Sequence, residues 1–400
     1  MKLTTKLNKV SLSVSHFSVK GSIIAIQIFF QTLWKKRISY LLLSPFLVIF
    51  IVFGLLPIAW SARLALTEYR GIKTVPPKWV GTQNFEDILQ ITIRVLPPEI
   101  DEATGEQVYK CGRKKMPESE ARVLMAEGEE CEARMMTPRD VLPKGYSEYD
   151  RYNFRGKTYL VGATDPRFWR AMYNTVRYTI GSVILTTLGG LFLALMLQKQ
   201  TRTNMVLRVV FFLPAVTSGI AITAVWKWIF AGESYGLANT IFDMVGMGRQ
   251  DFLADVRWTM PILIWLALWG GMGFPMILFL AGLKNIPLEL YEAAAIDGAS
   301  VPRRFRHITL PLLRPTFLYV VIIGIINAFQ VFDVVYVVFS TTQNIGGVLD
   351  SALTVVTYLY DQGFNELQLG YASSIAWVLF GVIFVMTVLS LRLGRVNESY

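Results

Sequence analysis

Six long apolar stretches divide the chain, and a polar or charged segment separates each from the next. Each is close to the roughly 20 residues that a helix needs to cross a bilayer core of roughly 30 Å. The pattern therefore predicts an all-α integral membrane fold with six transmembrane helices. Their predicted bounds are Tyr40–Trp60, Thr175–Leu197, Val206–Trp226, Pro261–Leu283, Phe317–Phe339 and Tyr371–Leu391.

A shorter apolar segment, residues 21–34, precedes the first of these spans. It is about 21 Å long as a helix, which is too short to span the membrane comfortably. We expect an interfacial helix here, with an additional membrane segment as the alternative. Residues 1–38 then form a basic tail, residues 39–62 carry the first span, and residues 174–400 form a core of five further helices.

The charges are placed by topology. The chain has a net charge of +10, and its first 39 residues carry seven Lys or Arg and no acid. Further basic residues follow the second and fourth spans, while all charged residues in the loop after the fifth span are acidic. Because cytoplasmic loops are enriched in Lys and Arg, both termini are predicted to be cytoplasmic, and the basicity does not indicate nucleic-acid binding.

The loop of residues 63–173 is predicted to lie outside the membrane. Its residues 63–172 hold 18 basic and 17 acidic residues, and we expect short helices and loops in an insertion domain at about residues 91–164. Both cysteines of the chain, Cys111 and Cys131, fall in it. An exterior location favours a disulfide between them, with two free thiols as the alternative.

Site chemistry is sparse. Two His and two Cys, scattered along the chain, do not make a metal site, and no cofactor is expected. Residues 156–158 (Gly-Lys-Thr) resemble the end of a phosphate-binding loop, but Arg151 stands where its first glycine is required. The chain should therefore not bind ATP. No His lies in a predicted span, which argues against an intramembrane hydrolase.

A helical hairpin is predicted over residues 285–311, on the cytoplasmic side after the fourth span. Asn285 can cap its first helix, Gly298 can supply the left-handed residue that ends it, and Ser300 can cap the second helix. Three alanines, residues 293–295, offer a flat surface. Spacing alone leaves open whether this surface docks another protein or merely connects two spans.

The hairpin resembles the signature loop of permease subunits of binding-protein-dependent ABC importers. In that family the loop is the coupling helix, which sits in a cleft of the ATPase subunit. The resemblance implies this role for the matching residues, and it implies a type I permease core. These residues are Glu292, Ala293, Ala294, Asp297, Gly298, Phe305, Leu310 and Pro311.

The resemblance narrows to the sugar permeases, of which the larger maltose-type subunit is an example. It covers roughly residues 40–395 without 91–164, and departs at Gly346-Gly347-Val348. It implies a multi-pass protein of the bacterial inner membrane, working with a second permease subunit, two cytoplasmic ATPase subunits and an exterior solute-binding protein. The insertion either docks that receptor or acts as a stabilising cap. A channel would have no use for the docking hairpin.

A polar row in the fifth span points to a substrate path. Asn327, Gln330 and Asp333 recur every three residues, and because such groups are costly against lipid, they should face inward. Sugar hydroxyls are the expected partners; contacts between helices, such as Asp333 with Arg177, are the alternative. Non-sugar solutes (glycerol phosphate, a polyamine or an ion) also remain possible.

Gly271 and Gly273 lie near the middle of the fourth span, where they expose or kink backbone that a wet cavity could satisfy; packing of small residues is the alternative. The resemblance places a sugar site on the fourth and fifth spans, where Trp269 or Phe332 would give an apolar face to the sugar ring.

Overall fold

The computed structural model describes residues 37–395, apart from residues 73, 234 and 341–344. The predicted basic tail and the interfacial helix of residues 21–34 lie outside the described residues. The chain divides between Ser61 and Ala62 into two units.

Helices make up most of the described chain. One π-helical turn, Ile51–Leu55, separates the first two of them. In chain order, the α-helices are α1 (Arg37–Phe50), α2 (Leu56–Ala65), α3 (Gln83–Leu89), α4 (Glu118–Ala126), α5 (Pro138–Val141), α6 (Pro166–Met196), α7 (Arg202–Val216), α8 (Gly219–Ile229), α9 (Leu237–Met244), α10 (Val256–Gly271), α11 (Gly273–Lys284), α12 (Leu288–Ile296), α13 (Val301–Arg304), α14 (Leu310–Leu312), α15 (Arg314–Phe329), α16 (Asp333–Phe339), α17 (Val355–Tyr360) and α18 (Leu369–Arg395).

Three described helical segments are long and apolar enough to cross a membrane: Leu41–Ala65, Pro166–Met196 and Leu369–Gly394. Three bent pairs pass the same test, namely α7 with α8 (96°), α10 with α11 (45°), and Val301–Leu312 with α15 (64°). If each pair counts as one span, the described residues hold six. A sequence window detects apolar length, but not a bend within it.

Small residues set how closely the helices pack around α6. A Cβ on Gly190 would clash with Pro275 and with the backbone of Met276, so this glycine lets α6 and α11 approach closely. Gly273 has a similar place, because a Cβ there would clash with the carbonyl oxygen of Phe211 in α7. Gly273, which was predicted to expose or kink backbone in the fourth span, therefore also lets two helices come into contact.

The insertion combines β-strands with two short helices, α4 and α5. Short helices were predicted, but the strands were not. Antiparallel strands form two three-stranded sheets, ordered β3-β8-β7 and β5-β4-β6. A two-stranded pair, β1 with β2, precedes them. The strands are β1 (Thr67–Glu68), β2 (Lys78–Trp79), β3 (Ile91–Val95), β4 (Val108–Cys111), β5 (Lys114–Pro117), β6 (Cys131–Ala133), β7 (Ser147–Phe154) and β8 (Lys157–Ala163).

The insertion has a small core of its own. Leu96, Leu142 and Leu160 are buried together, with Tyr146 packed against them. Gly162 lies under Leu142, where a Cβ would clash with that side chain. Short strands carry a weak local signal in the sequence, so their conformation depends on pairing with other strands. Strand β3 pairs with β8, which lies at the other end of the insertion.

Cys111 and Cys131 lie opposite each other on β4 and β6 and form a disulfide. The bond closes a loop with a sequence separation of 20 residues. Replacing both cysteines with serine should lower the stability of the insertion by about 3 kcal/mol, because the unfolded segment loses this constraint. Limited proteolysis should then cut the insertion faster. Two reactive thiols in unreduced wild-type protein would contradict the bond.

Candidate functional site

The hairpin of residues 285–311 is built from local signals. Gly298 has φ +75°, a left-handed conformation that glycine adopts at little cost, and it follows Asp297, the residue that ends α12. The Ala299 amide donates to the carbonyl of Ala294 at 2.8 Å, which closes the turn. Asn285 was predicted to cap the start of α12, but it does not. It closes α11, and Pro287 stands at the start of α12 because proline suits a helix N-terminus, where no amide partner is needed.

The hairpin presents α12 to solvent, and no residue of this helix is buried. Its last residue, Ile296, is 87% exposed. One hydrogen bond, between the hydroxyls of Tyr291 and Thr309 at 2.8 Å, ties α12 to the π-helical turn of residues 305–309. Glu292, Ala293, Asp297, Gly298, Leu310 and Pro311 are exposed, while Ala294 and Phe305 are half-buried.

The polar row of the fifth span lies on an exposed face: Asn327, Gln330 and Asp333 are all exposed. The sequence predicted one continuous helix for all three residues, but the structure divides them. Helix α15 ends at Phe329, and Phe332, with φ −136° and ψ −60°, separates it from α16. The polar residues on both sides of this break are nevertheless exposed.

The example given for the alternative role of Asp333, a pair with Arg177, is not formed. Among the residues that the structure describes, Asp333 and Arg177 form no ion pair. The guanidinium of Arg177 instead lies over the ring of Tyr173, 5.4 Å from its centroid.

Aromatic rings adjoin the polar row. Phe332 lies 5.1 Å from the ring of Tyr336 and 5.1 Å from that of Tyr360, between centroids. Tyr360 in turn lies 4.9 Å from Phe364. Of these four aromatic residues, only Phe332 was predicted to lie on the substrate path. The spacing of four residues in each pair, 332–336 and 360–364, was a visible signal, but it could not show that the pairs meet.

The other predicted path residues lie elsewhere. Trp269 packs against Trp226, with 5.4 Å between ring centroids, in a cluster on α8 and α10. Gly271 faces the methyl group of Thr186 on α6, and Gly273 faces α7. No contact with Phe332 is seen for these three within the described parts of the chain.

An ionic clamp lies at the start of α6. Arg167 donates from Nε and Nη2 to the Asp350 carboxylate (3.1 and 3.2 Å) and from Nη1 to Asp361 (3.2 Å). Leu349 and Asp350 adopt left-handed φ angles of 54° and 56°, which cost energy in residues other than glycine. Asn174 holds the same turn, because its amide donates to the carbonyls of Asp350 and Leu353 at 2.9 and 3.0 Å.

A second carboxylate organises the neighbouring helices. Asp165 accepts from the hydroxyls of Tyr358 (2.7 Å) and Tyr371 (2.6 Å), and its other oxygen accepts from the amide of Phe168 at the start of α6. Burial, followed by the negative charge of Asp165, raises the pKa of Tyr358. This hydroxyl therefore stays protonated and remains a donor.

Replacing Arg167 with alanine should destabilise the protein by about 2 kcal/mol. The substitution leaves two shielded carboxylates, Asp350 and Asp361, without their cation. The expected loss is limited to this value because the Arg167 side chain is 42% exposed and solvent weakens its ion pairs. The matched control is Arg151→Ala, which removes a surface pair with Glu148 and should change stability by about 0.5 kcal/mol or less. Thermal unfolding in detergent measures both. Equal shifts for the two variants would contradict the clamp.

Sequence comparison identifies the family. Residues 186–397 match the family described as binding-protein-dependent transport system inner membrane component. The chain belongs to this family. This permease is thus the inner-membrane subunit of a binding-protein-dependent ABC importer, a transporter subunit rather than an enzyme. The hairpin and the polar row both lie within the matched residues, and the insertion lies outside them.

Relatives and a solved structure agree with this assignment. The permease is 37% identical over 245 residues to the arabinooligosaccharides transport system permease protein AraP of Bacillus subtilis, covering 60% of this chain and 76% of that protein. It is 33% identical over 243 residues to the trehalose/maltose transport system permease protein MalF of Thermococcus litoralis, covering 61% and 80%. A bacterial ABC transporter structure, involved in import of the acidic polysaccharide alginate, shares the fold: TM-score 0.64, 20% identity, coverage 93% and 99%.

Proposed function

We propose that this permease moves a sugar or oligosaccharide across the inner membrane by alternating access. The observation that carries the proposal is that Asn327, Gln330 and Asp333 are all exposed and that Gln330 and Asp333 stand on either side of Phe332 along the chain. Amide and carboxylate groups can bond hydroxyls, and a ring can cover the apolar face of a pyranose. The names of the relatives, which transport arabinooligosaccharides and trehalose or maltose, support the same substrate class.

The exposed hairpin supports a proposal for the energy source. A separate pair of cytoplasmic ATPase subunits drives transport, one of them docking on α12 through Glu292, Ala293 and Asp297. Ile296, at the end of this helix, is 87% exposed, and burying this apolar side chain against the ATPase subunit would be favourable. A second permease subunit completes the path, an exterior binding protein delivers the solute, and both termini lie in the cytoplasm. The chain itself needs no cofactor.

The competing substrates are glycerol phosphate, a polyamine or an ion. A charged solute would favour a path dense in the opposite charge. On the exposed face described above, Asp333 is the single charged member of the polar row. This composition favours a neutral, hydroxyl-rich cargo.

Transport by the assembled importer tests the proposal. The permease, co-purified with its ATPases and second permease subunit, is placed in vesicles with the binding protein, and maltodextrins, arabinooligosaccharides and glycerol phosphate are offered in turn. ATP-dependent accumulation of a saccharide is the expected result. Accumulation of glycerol phosphate alone, or saccharide movement without ATP, would overturn it.

We also propose that the insertion contacts the binding protein. Val95 and Tyr159 lie opposite each other on β3 and β8, so deleting residues 96–158 leaves neighbouring ends that a two-residue Asn-Gly turn can rejoin. We expect the deletion to abolish receptor-stimulated ATP hydrolysis and to leave the subunits assembled. Unchanged stimulation would mean that the insertion is a stabilising cap.

A further inference from the structure

Four aromatic rings form a contiguous group, which we call the ring strip: Phe332, Tyr336 and Tyr360 all contact one another, and Phe364 extends the group from Tyr360. Besides the contacts given above, the rings of Tyr336 and Tyr360 lie 5.3 Å apart. Each ring therefore touches the next at the 4.5–7 Å separation at which aromatic side chains attract each other. The strip is built from two helical segments whose pairs are 28 residues apart in sequence.

The surface that carries the strip is not suited to lipid. Tyr336 and Phe364 are 37% and 63% exposed, and the exposed residues Gln330 and Asp333 lie within three residues of Phe332 along the chain. A carboxylate and a carboxamide are costly against acyl chains, so this face meets water, a solute or another polar surface. The strip starts beside the polar row and ends at Phe364, in the segment between the fifth and sixth spans.

The far end of the strip is held in place. Tyr360 directly precedes a π-helical turn, Asp361–Asn365, and Phe364 lies within it; such turns are frequent at functional sites. Arg167 bonds the Asp361 carboxylate, and the Asn365 amide donates to the other oxygen of the same carboxylate at 2.9 Å. The clamp on α6 is therefore the positioning element for two of the four rings.

We propose that the ring strip binds successive pyranose or furanose units of an oligosaccharide and makes the permease selective for chains over single sugars. This inference rests on the proposed function. Several adjacent rings offer more stacking area than one sugar ring can cover, so each further unit of a chain gains a contact that a monosaccharide cannot make. The polar row then bonds the hydroxyls of the leading unit.

Chain-length profiles test the strip in the assembled importer. Uptake KM is measured for maltose, maltotriose and longer maltodextrins, and for arabinose and its oligosaccharides, with one binding protein throughout so that its own preference cancels between variants. Wild type should favour the longer chains. Tyr360→Ala and Phe364→Ala should each shrink the ratio of KM for short chains to KM for long chains by about threefold to tenfold.

Two variants separate stacking from other effects. Tyr360→Phe keeps the ring and should keep the wild-type ratio. Phe380→Ala removes a comparably exposed ring (57%) from an aromatic cluster on α18 and should leave the ratio unchanged.

Three outcomes would overturn the inference while leaving sugar transport intact. These are a wild type without chain-length preference, an unchanged ratio in both alanine variants, or quantitative crosslinking of a Phe364→Cys variant to the second permease subunit, which would place the ring in an interface. Failure of every saccharide to accumulate would instead remove the proposed function itself.

Discussion

Replacing Gly298 with alanine should reduce ATP-driven uptake by about tenfold or more. The residue has φ +75°, and a side chain in this conformation costs about 1–2 kcal/mol, which corresponds to roughly tenfold in a conformational equilibrium. The turn would relax and tilt α12, which carries Glu292 and Ala293. Because this hairpin is the proposed docking element, ATP hydrolysis should lose its coupling to transport. Uptake and hydrolysis are measured on the same vesicles.

Gly246 provides the matched control. It has φ +74°, and a Cβ on either glycine would meet nothing within 4 Å, so both substitutions add the same local strain. Gly246 lies after α9, far along the chain from the hairpin, and Gly246→Ala should transport normally. If both variants lost the same fraction of uptake, the effect would be general strain rather than coupling.

Replacing Asn327 with alanine should raise the uptake KM for the transported saccharide by about tenfold or more. A carboxamide that bonds a substrate hydroxyl contributes about 1–2 kcal/mol, and its loss leaves the hydroxyl without that partner. Gln330→Ala should act in the same direction. The variants should still assemble, because both side chains are exposed and neither contributes to the core.

Tyr319→Phe is the control for this experiment. Tyr319 lies on the same helix, α15, is 51% exposed, and is not part of the polar row. Its uptake parameters should match the wild type. Unchanged affinity and rate in both Asn327→Ala and Gln330→Ala would remove these residues from the substrate path.

The features that were predictable from sequence are those encoded by neighbouring residues. A span needs only a run of apolar residues, and the turn of the hairpin needs only a glycine that accepts φ +75°. The polar row was visible because such residues are rare in an apolar run. Even there, the local pattern misplaced Asn285 as a cap, since proline at residue 287 suits the helix start better.

Features that depend on distant partners were missed. Arg167 reaches carboxylates 183 and 194 residues away, and no local pattern encodes that choice. The ring strip joins Phe332 to Tyr360 for the same reason. The break at Gln330 and the sheets of the insertion were missed because short strands and single kinks leave a weak periodic signal.

The exposure of α12 has a practical consequence for handling this protein. Three large aliphatic side chains of the hairpin, Ile296, Leu288 and Val301, are 87%, 67% and 69% exposed. A subunit overproduced alone would leave these apolar side chains uncovered and prone to aggregation. Co-expression with the proposed ATPase subunit, and purification through a tag on that subunit, should therefore give the higher yield.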